Sequence, residues 1–87
     1  MARVILIEDD ALVRTLLMRR MTQAGWNVIP MKDGRGLEAL LANEPVDLLV
    51  IDLGLPYVDG LALVEGLRAR GIETPLLVIS AYELPHL

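Results

Sequence analysis

Short apolar runs separated by longer amphipathic stretches organise this chain. Three runs, at residues 4–7, 48–51 and 76–79, each contain four consecutive apolar residues without polar alternation. Such runs are typical of strands that are covered on both faces of a parallel sheet. A weaker strand candidate, residues 26–31, ends near Pro30. The pattern therefore predicts four strands.

The stretches between these strands predict three helices, at residues 11–24, 34–43 and 60–70. Asp10 and Asp59 stand before the first and third helices as candidate caps, and Gly25 and Gly71 stand just past their ends. The first helix has an apolar side with Leu12, Val13, Leu16, Leu17 and Met21 and a largely polar side with Arg14, Arg19, Arg20 and Gln23.

The order of elements is β-α-β-α-β-α-β. Strands that alternate with helices predict a parallel sheet with right-handed crossovers, in which one layer of strands lies between two layers of helices. The chain has 87 residues and shows no repeat, linker or low-complexity segment, so we expect a single domain over residues 1–87.

Composition narrows the function classes. The net charge is −4, and the few basic residues are not clustered enough to hold a nucleic-acid backbone; the arginines of the first helix are interpreted as its solvent face. The chain has no cysteine, which excludes disulfides and thiolate metal sites. The apolar run near the start is too short for a signal peptide or a membrane span. We expect a cytoplasmic protein without membrane or nucleic-acid contacts.

Two of the predicted strands end in acid. The first is followed by Glu8, Asp9 and Asp10, and the third by Asp52. In open α/β sheets the ligand site lies beyond the carboxyl ends of the strands, so Asp9, Asp10 and Asp52 converge if these strands are neighbours. Carboxylates this close require a proton or a cation between them. Oxygen ligands of this kind predict Mg²⁺.

Each residue of this group also has a simpler interpretation. Asp10 can cap the first helix, Asp9 can be a solvated acid, and Asp52 can begin a turn. Ser80 follows the fourth strand, where its hydroxyl can hydrogen-bond a phosphoryl oxygen or cap the next turn. Gly54 allows close approach of the backbone, so its carbonyl can face a metal, or it can serve an ordinary turn. The convergence of strand ends favours the site over these separate interpretations.

Four segments resemble the receiver domain of bacterial two-component response regulators: I-L-I-E-D-D, D-G-R-G-L-E-A-L-L, P-V-D-L-L-V-I-D-L-G-L-P-Y-V-D-G and T-P-L-L-V-I-S-A. They occur in the family's order and spacing and cover the chain from about Val4 to Ala81. The resemblance implies a flavodoxin-like α/β/α fold with strand order 2-1-3-4. Family members continue through a fifth strand and helix, so it also implies a receiver domain truncated after the fourth strand.

The resemblance assigns roles to the acidic residues. Asp52 would accept a phosphoryl group from a histidine kinase or phosphotransfer protein. Asp9 and Asp10 would hold Mg²⁺ together with Asp52 and the carbonyl of Gly54. Ser80 would hydrogen-bond the phosphoryl group and move on activation. This implies a signalling phosphoacceptor rather than an enzyme, with at most self-catalysed phosphoryl transfer and dephosphorylation. The family's phosphoryl-pairing lysine lies on the fifth strand and has no counterpart here.

Two alternatives remain open. In the order 2-1-3-4, residues 76–79 form an edge strand without a charge to protect it, which predicts a homo-oligomer through that edge. The chain would then be a truncated receiver that acts as a non-phosphorylated oligomerisation or interaction module. A small aspartyl-phosphate phosphatase usually has a second acid two residues after its nucleophile, but position 54 is Gly.

Overall fold

The computed structural model describes residues 2–53 and 58–80. Four strands are present, namely β1 (Arg3–Ile7), β2 (Asn27–Met31), β3 (Leu48–Leu53) and β4 (Leu76–Ser80). Three helices alternate with them, namely α1 (Ala11–Gln23), α2 (Leu37–Asn43) and α3 (Val58–Ala69). The predicted alternation of strands and helices is confirmed.

The strands form one parallel sheet in the order β2-β1-β3-β4, as predicted. Ile7 at the end of β1 pairs with Met31 of β2 and with Ile51 of β3. Asp52 pairs with Ile79 of β4. The carboxyl ends of β1 and β3 therefore lie side by side at one edge of the sheet.

Both faces of the two central strands are buried. On one face, α2 and α3 cover a cluster of Ile5, Ile7, Leu37, Leu49, Ile51 and Leu67. On the other face, α1 covers Val4, Leu6 and Val50 with Leu17, Met18 and Met21. Each fully buried aliphatic side chain stabilises the fold by about 1.5–3 kcal/mol. This two-sided cover explains the unbroken apolar runs and confirms the three-layer α/β/α class.

The apolar side predicted for α1 is partly wrong. Leu12 is 68% exposed and Leu16 is also exposed, because α1 packs on the sheet through Leu17, Met18 and Met21. The helix is therefore rotated away from the predicted orientation. Arg14, which we expected on the solvent face, is half-buried instead.

The predicted starts of α2 and α3 also need correction. Gly36 has φ +80, a left-handed conformation that ends helical geometry, so α2 begins at Leu37 rather than at residue 34. α3 begins at Val58, which places Asp59 inside the helix instead of before it. The prediction that a glycine follows the ends of α1 and α3 is confirmed, since Gly25 and Gly71 lie there with positive φ.

β4 differs from the other strands in its exposure. It pairs with β3 on one side, and within the described ranges no strand pairs with its other side. Leu77 is 50% exposed, and Val78 on the opposite face is exposed as well. The predicted uncharged edge strand is thus present. Across residues 2–53 and 58–80, no helix is long and apolar enough to cross a membrane.

Candidate functional site at the carboxyl edge of the sheet

Two carboxylates are buried where β1 and β3 end. Glu8 follows the last residue of β1 and is 3% exposed, and Asp52, near the end of β3, is 9% exposed. The pairing of Ile7 with Ile51 places both acids at the same level of the sheet. Buried acids are rare unless they are paired. This pair therefore requires a physical explanation.

The hydrogen bonding of this pair is incomplete. One oxygen of Glu8, Oε1, accepts the backbone N–H of Asp10 at 2.9 Å. Glu8 Oε2 and Asp52 Oδ1 are buried and, among the described residues, have no hydrogen-bond partner. An unsatisfied buried polar atom costs about 1–3 kcal/mol, and more when it is charged. A single proton or a cation between the two carboxylates would satisfy both oxygens.

The pKa of Glu8 reflects this arrangement. The pKa of Glu8 is raised from its ordinary 4.5 to about 8, chiefly by burial and also by the neighbouring carboxyl groups of Asp52 and Asp9. The backbone hydrogen bond from Asp10 acts in the opposite direction. In the metal-free protein at neutral pH, Glu8 is therefore protonated and can donate to Asp52.

Asp9 and Asp10 lie next to this pair and are exposed. Asp10 caps α1, because its Oδ1 accepts the backbone N–H groups of Leu12 at 2.9 Å and Val13 at 3.0 Å. The cap interpretation is thus confirmed for this oxygen, and the predicted metal role of Asp10 stays a prediction. Within the described part of the chain, no group of three or more acids or histidines is arranged closely enough to hold a metal ion.

Of the remaining predicted site residues, the structure describes the backbone of Ser80. Ser80 is the last residue of β4, and its backbone is in register with Leu53, one residue past Asp52. Its position agrees with the predicted site at the carboxyl edge. Gly54 falls outside the described residues.

Two further residues of this site, Glu8 and Arg14, are not indicated by the sequence pattern. Glu8 directly follows Ile7, which pairs with Ile51, so its position depends on the strand register. Arg14 donates a hydrogen bond from Nη1 to the backbone carbonyl of Glu8 at 2.8 Å. The spacing of six residues between them gives no sequence signal.

Comparison with known proteins identifies the family. A model of the response regulator receiver domain matches residues 4–86. This chain belongs to that family, and the predicted receiver domain of two-component signalling is confirmed. The virulence transcriptional regulatory protein PhoP of Salmonella choleraesuis is 37% identical over 83 residues, which cover 95% of this chain and 37% of that protein. The response regulator MprA of Mycolicibacterium vanbaalenii is 35% identical over 91% of this chain and 34% of that protein.

Solved receiver domains share the fold. The Francisella response regulator 1452 receiver domain matches with a TM-score of 0.82 and 27% identity, covering 98% of this chain and 70% of that chain. The non-phosphorylated HemR receiver domain from Leptospira biflexa matches with a TM-score of 0.76 and 31% identity, over 93% and 65% respectively. The chain spans little more than a third of the length of curated relatives such as PhoP. Receiver domains are signalling modules rather than classical enzymes.

Proposed function

We propose that this chain is a phosphoacceptor whose Asp52 receives a phosphoryl group from a histidine kinase or phosphotransfer protein. One observation carries the proposal: Glu8 and Asp52 are buried side by side at adjacent strand ends, each with an oxygen that has no partner in the described structure. A protein interior that serves stability alone leaves few such atoms unsatisfied. Family membership supports the same role.

The transfer itself is a nucleophilic displacement at phosphorus. A carboxylate oxygen of Asp52 forms a bond to phosphorus, and the bond from phosphorus to the donor's imidazole nitrogen breaks. The donor histidine leaves as imidazole, and Asp52 becomes an aspartyl phosphate. The rigid end of β3 holds the nucleophile in place. We propose that Ser80 then hydrogen-bonds a phosphoryl oxygen and moves on activation.

The donor chemistry of the acidic site suits Mg²⁺, although the described acids lie too far apart to hold the ion in the present arrangement. Hard oxygen donors are what this ion prefers, and the two unpartnered carboxylate oxygens supply them. We propose Asp9, Asp10, Asp52 and the carbonyl of Gly54 as ligands, and we extend this set with Glu8. When bound, Mg²⁺ offsets the negative charge of the entering phosphoryl group. The solved structure of Thermotoga maritima TrrA, which is 20% identical and shows the fold alone, was determined with Mg²⁺ and a beryllium fluoride.

Intact mass after incubation with acetyl phosphate and Mg²⁺ tests the proposal. We expect an adduct of one phosphoryl group in the wild-type chain and none in Asp52→Asn or without magnesium. Asp47→Asn is the matched control, because Asp47 lies at the opposite edge of the sheet, where it accepts the backbone N–H of Arg3. An adduct that persists in Asp52→Asn would overturn the assignment of the acceptor. Ser80→Ala should retain the adduct and change its lifetime.

We also propose that two copies associate through β4. This proposal rests on the exposed Leu77 and Val78 and on the side of β4 that no described strand pairs with. An unpaired, uncharged strand edge is a template for another strand. Two edges related by a two-fold axis would pair antiparallel. This association accompanies the phosphoacceptor role and would replace it in the interaction-module alternative.

Light scattering at increasing concentration tests the association. The average mass should rise with concentration in the wild-type chain and stay at the monomer in Val78→Lys. Leu12→Lys is the control, because Leu12 is also exposed but lies on α1. A monomeric wild-type chain at all concentrations would refute the association. We further propose a cytoplasmic location with no membrane or nucleic-acid partner.

A further inference from the structure

We propose that Arg14 is a positioning residue of the acidic site, which holds the end of β1 so that Glu8 and Asp9 face Asp52. The inference rests on the proposed metal site. Its basis is the hydrogen bond from Arg14 Nη1 to the carbonyl oxygen of Glu8 at 2.8 Å. Arg14 is half-buried, whereas Arg19 on the same helix is exposed. Arg14 and Arg19 therefore have different surroundings.

Arg14 completes a set of contacts that fix Glu8. The backbone N–H of Glu8 donates to the carbonyl of Met31 on β2 at 2.9 Å. Glu8 Oε1 accepts the backbone N–H of Asp10 at 2.9 Å. The carbonyl of Glu8 accepts from Arg14. Glu8 is thus held by a neighbouring strand, by the following loop and by α1, and Arg14 supplies the contact with α1.

The same helical turn closes the acidic loop from its other side. The backbone N–H of Arg14 donates to the carbonyl of Asp10 at 2.8 Å. This is the first helical hydrogen bond of α1, which any residue at position 14 would make, and the side chain of Arg14 adds a second contact at Glu8. Asp9 lies between these two anchored residues. A guanidinium suits this task because it is planar, stays charged and offers several donors in a fixed geometry.

Two effects of Arg14 on a bound cation have opposite signs. Its positive charge repels a cation and lowers the affinity. Its hydrogen bond orders the ligands and raises the affinity, and loss of such an outer contact typically weakens metal binding by about 10–100-fold. Removing Arg14 therefore raises the affinity if charge is its only role and lowers it if positioning dominates. The sign of the change separates the two roles.

Binding of Mn²⁺, followed by electron paramagnetic resonance with Mg²⁺ as competitor, measures this sign. Mn²⁺ suits the test because carboxylate, carbonyl and water ligands hold both ions. We expect Arg14→Met to bind roughly tenfold more weakly than the wild-type chain. Arg14→Lys keeps the charge without the planar geometry, and we expect an intermediate affinity. Arg19→Met is the matched control and should keep the wild-type affinity, since Arg19 is exposed.

Thermal unfolding of each variant shows whether the variant is folded, so that a weaker affinity for Mn²⁺ can be distinguished from loss of the fold. If Arg14→Met does not fold, Arg14→Lys carries the test. Wild-type or higher affinity in the folded variant would overturn the positioning role of Arg14. A wild-type chain that binds no Mn²⁺ would overturn the metal site itself, and with it this inference. The two failures are therefore distinguishable.

Discussion

The acidic residues at the two ends of the sheet are held in opposite ways. At the amino end, Asp47 accepts the backbone N–H of Arg3 at 2.7 Å, and Glu44 pairs with the guanidinium of Arg3. Asp47 and Glu44 are exposed. At the carboxyl end, Glu8 and Asp52 are buried, and each has an oxygen without a partner among the described residues.

This difference indicates that the acids at the amino end serve the stability of the fold, whereas those at the carboxyl end serve function. Exposed ion pairs such as that of Glu44 contribute about 0–1 kcal/mol to the free energy of unfolding. Two buried carboxylates in contact lower stability unless a proton or a cation joins them. The chain thus accepts a cost at the carboxyl end that it avoids at the amino end. Proteins violate the rules of stable packing mainly at functional sites.

The largest predicted effect is a dependence of stability on pH in the absence of metal. The pKa of Glu8 is about 8 in the folded chain and 4.5 as its ordinary value. Below the lower value both states carry the proton, and between the two values the folded state alone carries it. This contribution to stability is therefore present at low pH and is lost as pH rises through about 8.

Melting temperatures in a chelating buffer measure this effect. We expect the wild-type chain to melt at a much lower temperature at about pH 8.5 than at about pH 5.5. Glu8→Gln cannot titrate and should remove most of the difference, whereas Glu44→Gln at the amino end should leave it unchanged. Equal slopes in the wild-type chain and Glu8→Gln would show that Glu8 is not the titrating group.

Binding of Mg²⁺ should offset the loss of stability that the buried carboxylates cause at the carboxyl end. A ligand at 100 times its dissociation constant stabilises the folded state by about 2.7 kcal/mol. In a domain of this size, each kcal/mol raises the melting temperature by about 4–8 °C. We expect Mg²⁺ to raise the melting temperature of the wild-type chain and of Asp47→Asn. Asp52→Asn should show little response, and a full response there would place the cation elsewhere.

The sequence predicts the sheet and the location of the site, but not how the side chains of the site are arranged. Apolar runs with two-sided cover predict the parallel sheet, and the acids at the ends of β1 and β3 predict the edge where the site lies. The inward direction of Glu8 depends on the register between Ile7 and Ile51, which is a tertiary property. The role of Arg14 depends on the rotation of α1. The apolar residues of α1 do not fix this rotation, since two of them, Leu12 and Leu16, are exposed in the structure.

Replacing one carboxylate by an amide should have opposite effects at the two ends. At about pH 8.5 without metal, Asp52→Asn removes a buried charge next to Glu8 and should stabilise the chain by about 1–2 kcal/mol. Asp47→Asn weakens a satisfied contact with Arg3 and should destabilise it by about 0.5–1 kcal/mol. Chemical denaturation measures both. Destabilisation by both variants would contradict the proposed difference between the ends.

Asp10 tests whether location or partner decides how an acid behaves. It lies at the carboxyl end, yet its Oδ1 is satisfied by the backbone of α1, as the acids of the amino end are satisfied by Arg3. Asp10→Ala should therefore destabilise the chain by about 1 kcal/mol through loss of the cap.

Asp10→Ser keeps a capping oxygen without the charge and separates the cap from the predicted metal role. Its stability should be close to that of the wild-type chain, since Ser and Asp cap helices about equally well. Its affinity for Mn²⁺ then reports the carboxylate alone: a clear loss supports Asp10 as a ligand, and an unchanged affinity restricts it to the cap. If Asp10→Ala stabilised the chain, repulsion between Asp10 and the nearby buried acids would outweigh the stabilisation from the cap.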